Sequence, residues 1–320
     1  MKTPDIPADE EYRLKELRAL NILNTPAEER FDRLTRLAKR LFGVPISIVS
    51  LIETDWQWFK ACDGFSSHTA PRDTSFCGHA ILEDDMLIVE NALHDERFFD
   101  NPLVTGEPNI RFYAGCPLRS PGGAKVGTLC IVDDKPRAFV ADDAATLRDL
   151  ASMAESELAA FQAATSDELT QISNRRGFTF LAQLVLNDCA LHGYDASLVF
   201  IDLDKFKCIN DTLGHREGDR ALQDVADGMK VIFRGSDLFG RLGGDEFVAL
   251  FSKMRPQGAE EKLRQLTAHL TQQTNDLQRR YTLNLSYGIT AFDPAAPLSL
   301  EQLLAKGDET MYQMKQEKKR

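Results

Sequence analysis

The chain has 320 residues, 43% hydrophobic and 27% charged, which exceeds one ordinary core and predicts two domains of about 150 residues each. A formal charge of -11 disfavours non-specific, phosphate-neutralising contact with DNA or RNA but leaves room for a local patch that binds a phosphorylated small molecule. The longest apolar runs, PISIVSLI (45–52) and SLVFI (197–201), fall short of the ~20 residues of a membrane span, MKTPDIPADEEYR lacks the apolar core of a signal peptide, and six cysteines without a C-x-x-C read as reduced thiols, so a cytoplasmic protein is expected.

Leu14, Leu17, Leu20 and Leu23 recur at helical spacing until Asn24 and Thr25 interrupt them. Thr25-Pro26-Ala27-Glu28 combines a hydroxyl N-cap, a proline at N1 and an acid at N3, a capping box that opens a second helix to about Gly43. Strand-like runs follow at ISIVSLI (46–52), WQWFKAC (56–62), MLIVEN (86–91) and AKVGTLCIVD (124–133), the last preceded by the turn Ser120-Pro121-Gly122-Gly123. From Ala141 the pattern is helical again. Leu147, Ala151, Ala154, Leu158 and Phe161 keep a heptad spacing, which suits either a helix packed on its own domain or a short parallel dimer seam. The next ordered piece begins at Ser166-Asp167, where the domain boundary is placed.

The second half alternates helix and strand. A helix over 175–192 precedes the strand ASLVFIDLD (196–204), and one over 218–233 precedes a hairpin with the turn GGDE and the outgoing strand FVALF. A helix (257–277), the strand TLNLSYGITAF (282–292) and a final helix from about Ser299 complete the chain. SLVFI is apolar throughout, as in a sheet covered on both faces, and runs into Asp202-Leu203-Asp204. If that strand lies beside the GGDE hairpin, Asp202, Asp245 and Glu246 meet, and three close carboxylates call for a divalent cation with hard oxygen ligands, such as Mg²⁺. Taken alone, GGDE is also an ordinary hairpin turn.

Three strings decide between these readings: Asp167-x-Leu-Thr170 with Asn174-Arg175; Asp202-Leu-Asp-x-Phe-Lys207-x-x-Asn210-Asp-x-x-Gly214-His215-x-x-Gly218-Asp219; and Arg241-Leu-Gly-Gly-Asp-Glu-Phe247. In this order they resemble the GGDEF family of diguanylate cyclases over about Ser166 to Arg320. The resemblance implies condensation of two GTP into cyclic di-GMP with release of two pyrophosphates, in a homodimer whose domains face each other. It also implies two Mg²⁺ per site, or Mn²⁺ in their place, on Asp202, the Leu203 carbonyl and Asp245. Asp245 matches the candidate base, Glu246 a second acid and Lys207 a charge stabiliser. Asn210 and Asp219 match guanine readers, His215 a substrate contact, the Lys205 and Phe206 backbone a phosphate cradle, and Lys315 and Lys319 terminal-phosphate holders. The family usually has glycine where Lys318 stands. Arg234 and Asp237 match a product-inhibition site. Singly, each of these residues also reads as turn, loop or solvated charge.

The first half resembles a GAF sensor domain over about residues 24–160, in ILNTPAEERFDRLTRLAKRLFGVPISIVSLIE, SFCGHAI (75–81), IRFYAGCPL (110–118) and GTLCIVD (127–133). Cys62, His68, Cys77 and His79 fit no zinc spacing and read as buried thiols and loop histidines. The expected fold is α+β: an N-terminal helical segment (1–23), a GAF sandwich of antiparallel sheet and helices (24–160) with a connecting helix to about 165, and a palm-like GGDEF domain (166–320) whose central sheet is flanked by helices. Its partners are GTP, cyclic di-GMP, a second copy and an unidentified GAF ligand, with no nucleic acid and no membrane span. The alternative is a GGDEF protein that binds GTP or cyclic di-GMP without turnover; both acids kept at the turn weigh against it.

Overall fold

The computed structural model describes residues 1–318, and the chain separates into two compact units, Met1–Gln162 and Ala163–Arg320. In the first, helices α1 (Glu10–Ala19) and α2 (Glu29–Phe42) precede strands β1 (Ile46–Ile52), β2 (Trp56–Asp63) and β3 (Thr69–Pro71). Helix α3 (Phe76–Ala80), strand β4 (Leu87–Val89), helix α4 (Pro102–Thr105), strands β5 (Phe112–Arg119) and β6 (Lys125–Asp133) and helix α5 (Ala141–Thr165) follow. The six strands form one antiparallel sheet in the order β3-β2-β1-β6-β5-β4.

Alternation along the strands divides the core between the two faces of this sheet. Val49, Leu51, Leu129 and Ile131 pack with Leu17, Phe31 and Leu34 of the first two helices and with α5. Ile46, Ile48, Cys130 and Val132 pack with Phe76, Cys77 and Ala80 of α3 and with the loops that follow. The spacing that suited either a domain-packed helix or a dimer seam resolves to the former: Leu147, Ala151, Ala154, Leu158 and Phe161 are all buried in the first face's cluster. That stripe is therefore closed to a second copy.

The expected capping box at Thr25 does not form. Helix α2 starts at Glu29 without a side-chain cap, while the Thr25 hydroxyl donates to the Ile22 carbonyl and accepts from Lys60 Nζ at 2.8 Å. Lys60 is itself buried and also donates to the Pro26 carbonyl and Glu28 Oε1, so the segment is shaped around a buried cation. Its far end follows expectation, with Gly43 closing α2 in the left-handed region at φ 59°. His79 lies in α3 rather than in a loop, with Nε2 2.9 Å from the Lys2 carbonyl, and the half-buried Cys62 donates its thiol to the Phe65 carbonyl.

The second unit contains β7 (Ser173–Asn174), α6 (Arg175–His192), β8 (Ala196–Leu203), α7 (Phe206–Leu213), α8 (His215–Ile232), β9 (Leu238–Gly243), β10 (Glu246–Ser252), α9 (Pro256–Asp276), β11 (Leu285–Phe292) and α10 (Leu300–Glu317). Its sheet has the order β11-β8-β10-β9-β7, with the all-buried β8 between two antiparallel neighbours. Both faces are covered, as the apolar run predicted. Val199, Ile201, Leu203 and Phe247 meet α8 and α9, while Leu198, Phe200, Val248 and Leu250 meet α6 and α10. Gly288 permits the second packing, since a Cβ there would stand 2.0 Å from the Gly307 carbonyl oxygen of α10. Ser299 caps α10 in a reciprocal capping box with Gln302. Among the described residues no helix is long and apolar enough to cross a membrane.

Candidate active site

Strand β8 carries the chain from apolar core to acid. Asp202 stands opposite Glu246 of β10 on one side and Ser286 of β11 on the other. Cross-strand partners project to one face, and by the alternation of β8 this is the face covered by α6 and α10. Lys315 of α10 reaches Asp202 Oδ1 at 2.5 Å. Burial pushes the Asp202 carboxyl up; Lys315 opposes that rise and the neighbouring charge of Asp245 adds to it. Glu246 is likewise raised, first by burial, with Arg175 opposing at 3.7 Å and Asp308, Asp245 and Asp202 reinforcing. β8 ends at Leu203, whose amide donates to the Asp245 carbonyl at 3.1 Å and ties the turn to the strand end. Asp204 accepts from the Ser286 hydroxyl at 2.6 Å and from Lys318 Nζ at 2.9 Å.

The turn is held by residues whose role the sequence left unread. Arg241 donates through Nε and Nη2 to the Gly244 carbonyl at 3.0 and 2.8 Å, and through Nη1 to both oxygens of Asp167 at 3.1 Å. Asp167 in turn accepts from the amide and hydroxyl of Thr170. The Asp167-x-Leu-Thr170 string thus fixes the arginine that fixes the turn. Gly243 and Gly244 have φ of 141° and 55°, with nothing within 4 Å of where a Cβ would stand, so the outer side of the turn is open.

Below the turn, Lys205 takes φ 61° as the N-cap of α7, and no side chain caps that helix. The amides of Phe206 and Lys207 lie in its first turn, where backbone N–H groups lack intrahelical acceptors. Asn210 of α7 lies against Gly218 of α8, where a Cβ would fall 1.9 Å from Asn210 Oδ1. Asp219 follows and is exposed, as are His215 at the start of α8 and Lys207 on α7. Asn210, His215 and Asp219 therefore share one helix-helix corner.

Arg234 and Asp237 form a turn: the Asp237 carboxylate accepts the Arg234 amide at 2.8 Å, and the Asp237 amide donates back to the Arg234 carbonyl at 2.9 Å. Asp237 is buried and engaged with backbone, whereas the Arg234 guanidinium is exposed.

Asp202, Asp245 and Glu246 lie near one another, but among the described residues no group of three His, Cys, Asp or Glu is placed to hold a metal; Glu246 sits within reach of Arg175 and Lys315 pairs with Asp202. Asp202 and Asp245, close enough to interact electrostatically, remain the hard oxygen pair. That donor set fits Mg²⁺, which takes one or two carboxylates and fills its remaining positions with phosphate oxygens and water. Lys315, expected on phosphate, is on Asp202, and Lys318, set aside as a departure from the family pattern, pairs with Asp204 and donates to the Leu285 carbonyl. Lys319 lies outside the described residues.

Comparison with known proteins agrees with this division. The family described as "Diguanylate cyclase, GGDEF domain" matches residues 164–320, and the GAF domain family matches residues 26–158. A cyclic di-GMP phosphodiesterase of Pseudomonas aeruginosa is 38% identical over 55% of this chain and 30% of its own length. The probable diguanylate cyclase DgcC of Escherichia coli K12 is 34% identical over 41% of this chain and 35% of its own. The diguanylate cyclase DgcP of the same organism is 26% identical over 79% of this chain and 77% of its own. The chain thus spans about a third of the length of the first two of these relatives. On these matches and the two folded units, the chain consists of a GAF-family domain followed by a domain of the family described as "Diguanylate cyclase, GGDEF domain".

Proposed function

We propose that the second domain is a diguanylate cyclase that condenses two GTP into cyclic di-GMP and two pyrophosphates, acting as a homodimer because each domain supplies one nucleotide. The observation that carries this reading is the register of β8 and β10, which sets Glu246 opposite Asp202 and leaves Asp245 on an open glycine turn beside them.

Asp202 and Asp245 would hold Mg²⁺, or Mn²⁺, together with the Leu203 carbonyl. A divalent ion bound there supplies charge stabilisation for the phosphates. The chain's own residues do the rest. The open side of Gly243-Gly244 admits the nucleotide backbone, and the first-turn amides of α7 face phosphate oxygens. Asn210 and Asp219 read guanine: a carboxylate accepts from N1–H and the 2-amino group, donors that adenine does not present together. His215 borders the same corner. Asp245 accepts the proton of the attacking 3'-hydroxyl, and Lys207 and Lys315 offset phosphate charge. Lys315 has to leave Asp202 to do so, which links phosphate binding to release of a metal ligand.

Exposure of the Arg234 guanidinium supports a product site on that turn, with Asp237 shaping the backbone. Purified protein given Mg²⁺ and GTP is expected to yield cyclic di-GMP, and Arg234→Ala to weaken inhibition by added product. Binding of GTP without turnover would favour the non-catalytic alternative, and unchanged inhibition in Arg234→Ala would remove the regulatory assignment.

A further inference from the structure

Two cysteines far apart in sequence meet inside the first domain. Cys77 comes from α3 and Cys130 from β6, with Sγ atoms 3.8 Å apart, and both are buried. The Tyr113 hydroxyl donates to Cys77 Sγ at 3.5 Å. Both thiols line a cavity of about 60 Å³ whose other walls include Ile48, Phe59, Phe76 and Val132. A single water needs roughly 10–15 Å³ of such space, so the cavity takes an uncharged molecule of a few heavy atoms.

We propose that Cys77 and Cys130 form a peroxide-reactive thiol pair, in which a small uncharged hydroperoxide entering this cavity oxidises Cys77 and Cys130 closes the product to a disulfide. Nothing in the cyclase reading requires these side chains, and buried structural thiols have no need to touch each other across a cavity wall.

The two sulfurs are not equivalent. Hydrogen bonds with Cys130 and from the Tyr113 hydroxyl favour the anion of Cys77 against the opposing effect of burial, while Cys130 is pushed up by Cys77 and by burial. Cys77 is thus the attacking sulfur. Its thiolate attacks one peroxide oxygen; an S–O bond forms, the O–O bond breaks, and the departing alkoxide takes the proton that Cys77 released. Cys130 sulfur then attacks the Cys77 sulfenic sulfur, and the hydroxyl leaves as water with the Cys130 proton. Two thiols lose two electrons, and one hydroperoxide becomes an alcohol, or water where it is hydrogen peroxide, plus the water of the second step. Closing the pair requires the sulfurs to approach from 3.8 Å to about 2.05 Å.

The test uses the full chain with Cys208→Ser, because Cys208 is exposed and reacts without any cavity. The folded protein is treated with hydrogen peroxide, and cysteine states are mapped by peptide mass spectrometry over time. The expected result is a Cys77–Cys130 disulfide that forms at least ~10-fold faster than any modification of the buried Cys116, and a dimedone adduct on Cys77 in Cys130→Ser. Cumene hydroperoxide, too bulky for the cavity, is expected to react at least ~10-fold more slowly. Three outcomes overturn the proposal: a pair that stays reduced while Cys116 is oxidised, a disulfide that joins Cys130 to Cys62 instead, or equal rates with the bulky peroxide. The mapping of the Cys208→Ser chain stands even if Cys130→Ser fails to fold.

Discussion

Gly218→Ala separates the role proposed for the Asn210–Asp219 corner in reading guanine from the stability of the fold. The new Cβ would fall 1.9 Å from Asn210 Oδ1, so that amide has to withdraw by about 1.5 Å to reach ordinary contact. The obstacle is the far end of a side chain rather than backbone, and α8 itself gains up to about 1 kcal/mol from replacing glycine inside a helix. Stability is therefore expected to hold or rise slightly. Removing one neutral hydrogen bond to the nucleotide costs about 0.5–1.5 kcal/mol, which is roughly a 2- to 10-fold rise in KM for GTP. The assay is steady-state turnover beside a thermal melt, run for Gly218→Ala, Asn210→Ala and the double variant. Because both changes act through the same amide, the double variant is expected to resemble Asn210→Ala rather than the sum. An unchanged KM, or effects that add in full, would refute the coupling.

Arg241→Ala is expected to destabilise the second domain by about 2–3 kcal/mol, since it removes hydrogen bonds from a mostly buried charged group to Asp167 and to the Gly244 carbonyl. It should lower kcat more than it raises KM, because the turn loosens; wild-type stability with wild-type kcat would contradict this. In the first domain, burial acts against the charge of Glu10, but hydrogen bonds from Arg13 and Arg72 outweigh it and hold the carboxyl at about 2. A folded value below the ordinary one stabilises above the unfolded pKa of about 4.5, and that contribution is lost as pH falls through about 2. Glu10→Gln should therefore cost up to about 3 kcal/mol at pH 7 and less at pH 3. The chain's two tryptophans, Trp56 and Trp58, both lie in β2, so denaturant unfolding followed by their fluorescence reports on this domain; a gap that does not change with pH would refute the linkage.

Much of this architecture is legible in the sequence because its signals are local. The apolar run of β8, the glycine turn, the Gly43 stop and the Ser299 start each carry their physical reason within a few residues. Other features depend on partners that periodicity does not reveal. Thr25 has a cap's composition, yet Lys60 from β2 takes its hydroxyl. The helix of α5 has a dimer's spacing, yet the sheet of its own domain fills that face. β5 escaped notice as a strand because Gly115 and Pro117 interrupt its alternation, although the strand is buried from Phe112 to Leu118. In the candidate site the acids and the Asn210–Asp219 corner lie within ordered strings of the sequence. The Asp167–Arg241 brace joins positions 74 apart in the chain, and the two lysine–aspartate pairs join α10 to β8 and its end, so only the fold brings them together.

The central claim is that the acids at the open turn carry out cyclic di-GMP synthesis. It is tested most directly by quantifying nucleotide products from Mg²⁺ and GTP for the wild-type chain and for Asp245→Asn at equal concentration of product-free protein. The wild type is expected to release two pyrophosphates per cyclic di-GMP, and a folded Asp245→Asn to give no cyclic di-GMP above background. Equal cyclic di-GMP from both proteins, or none from either, would contradict it.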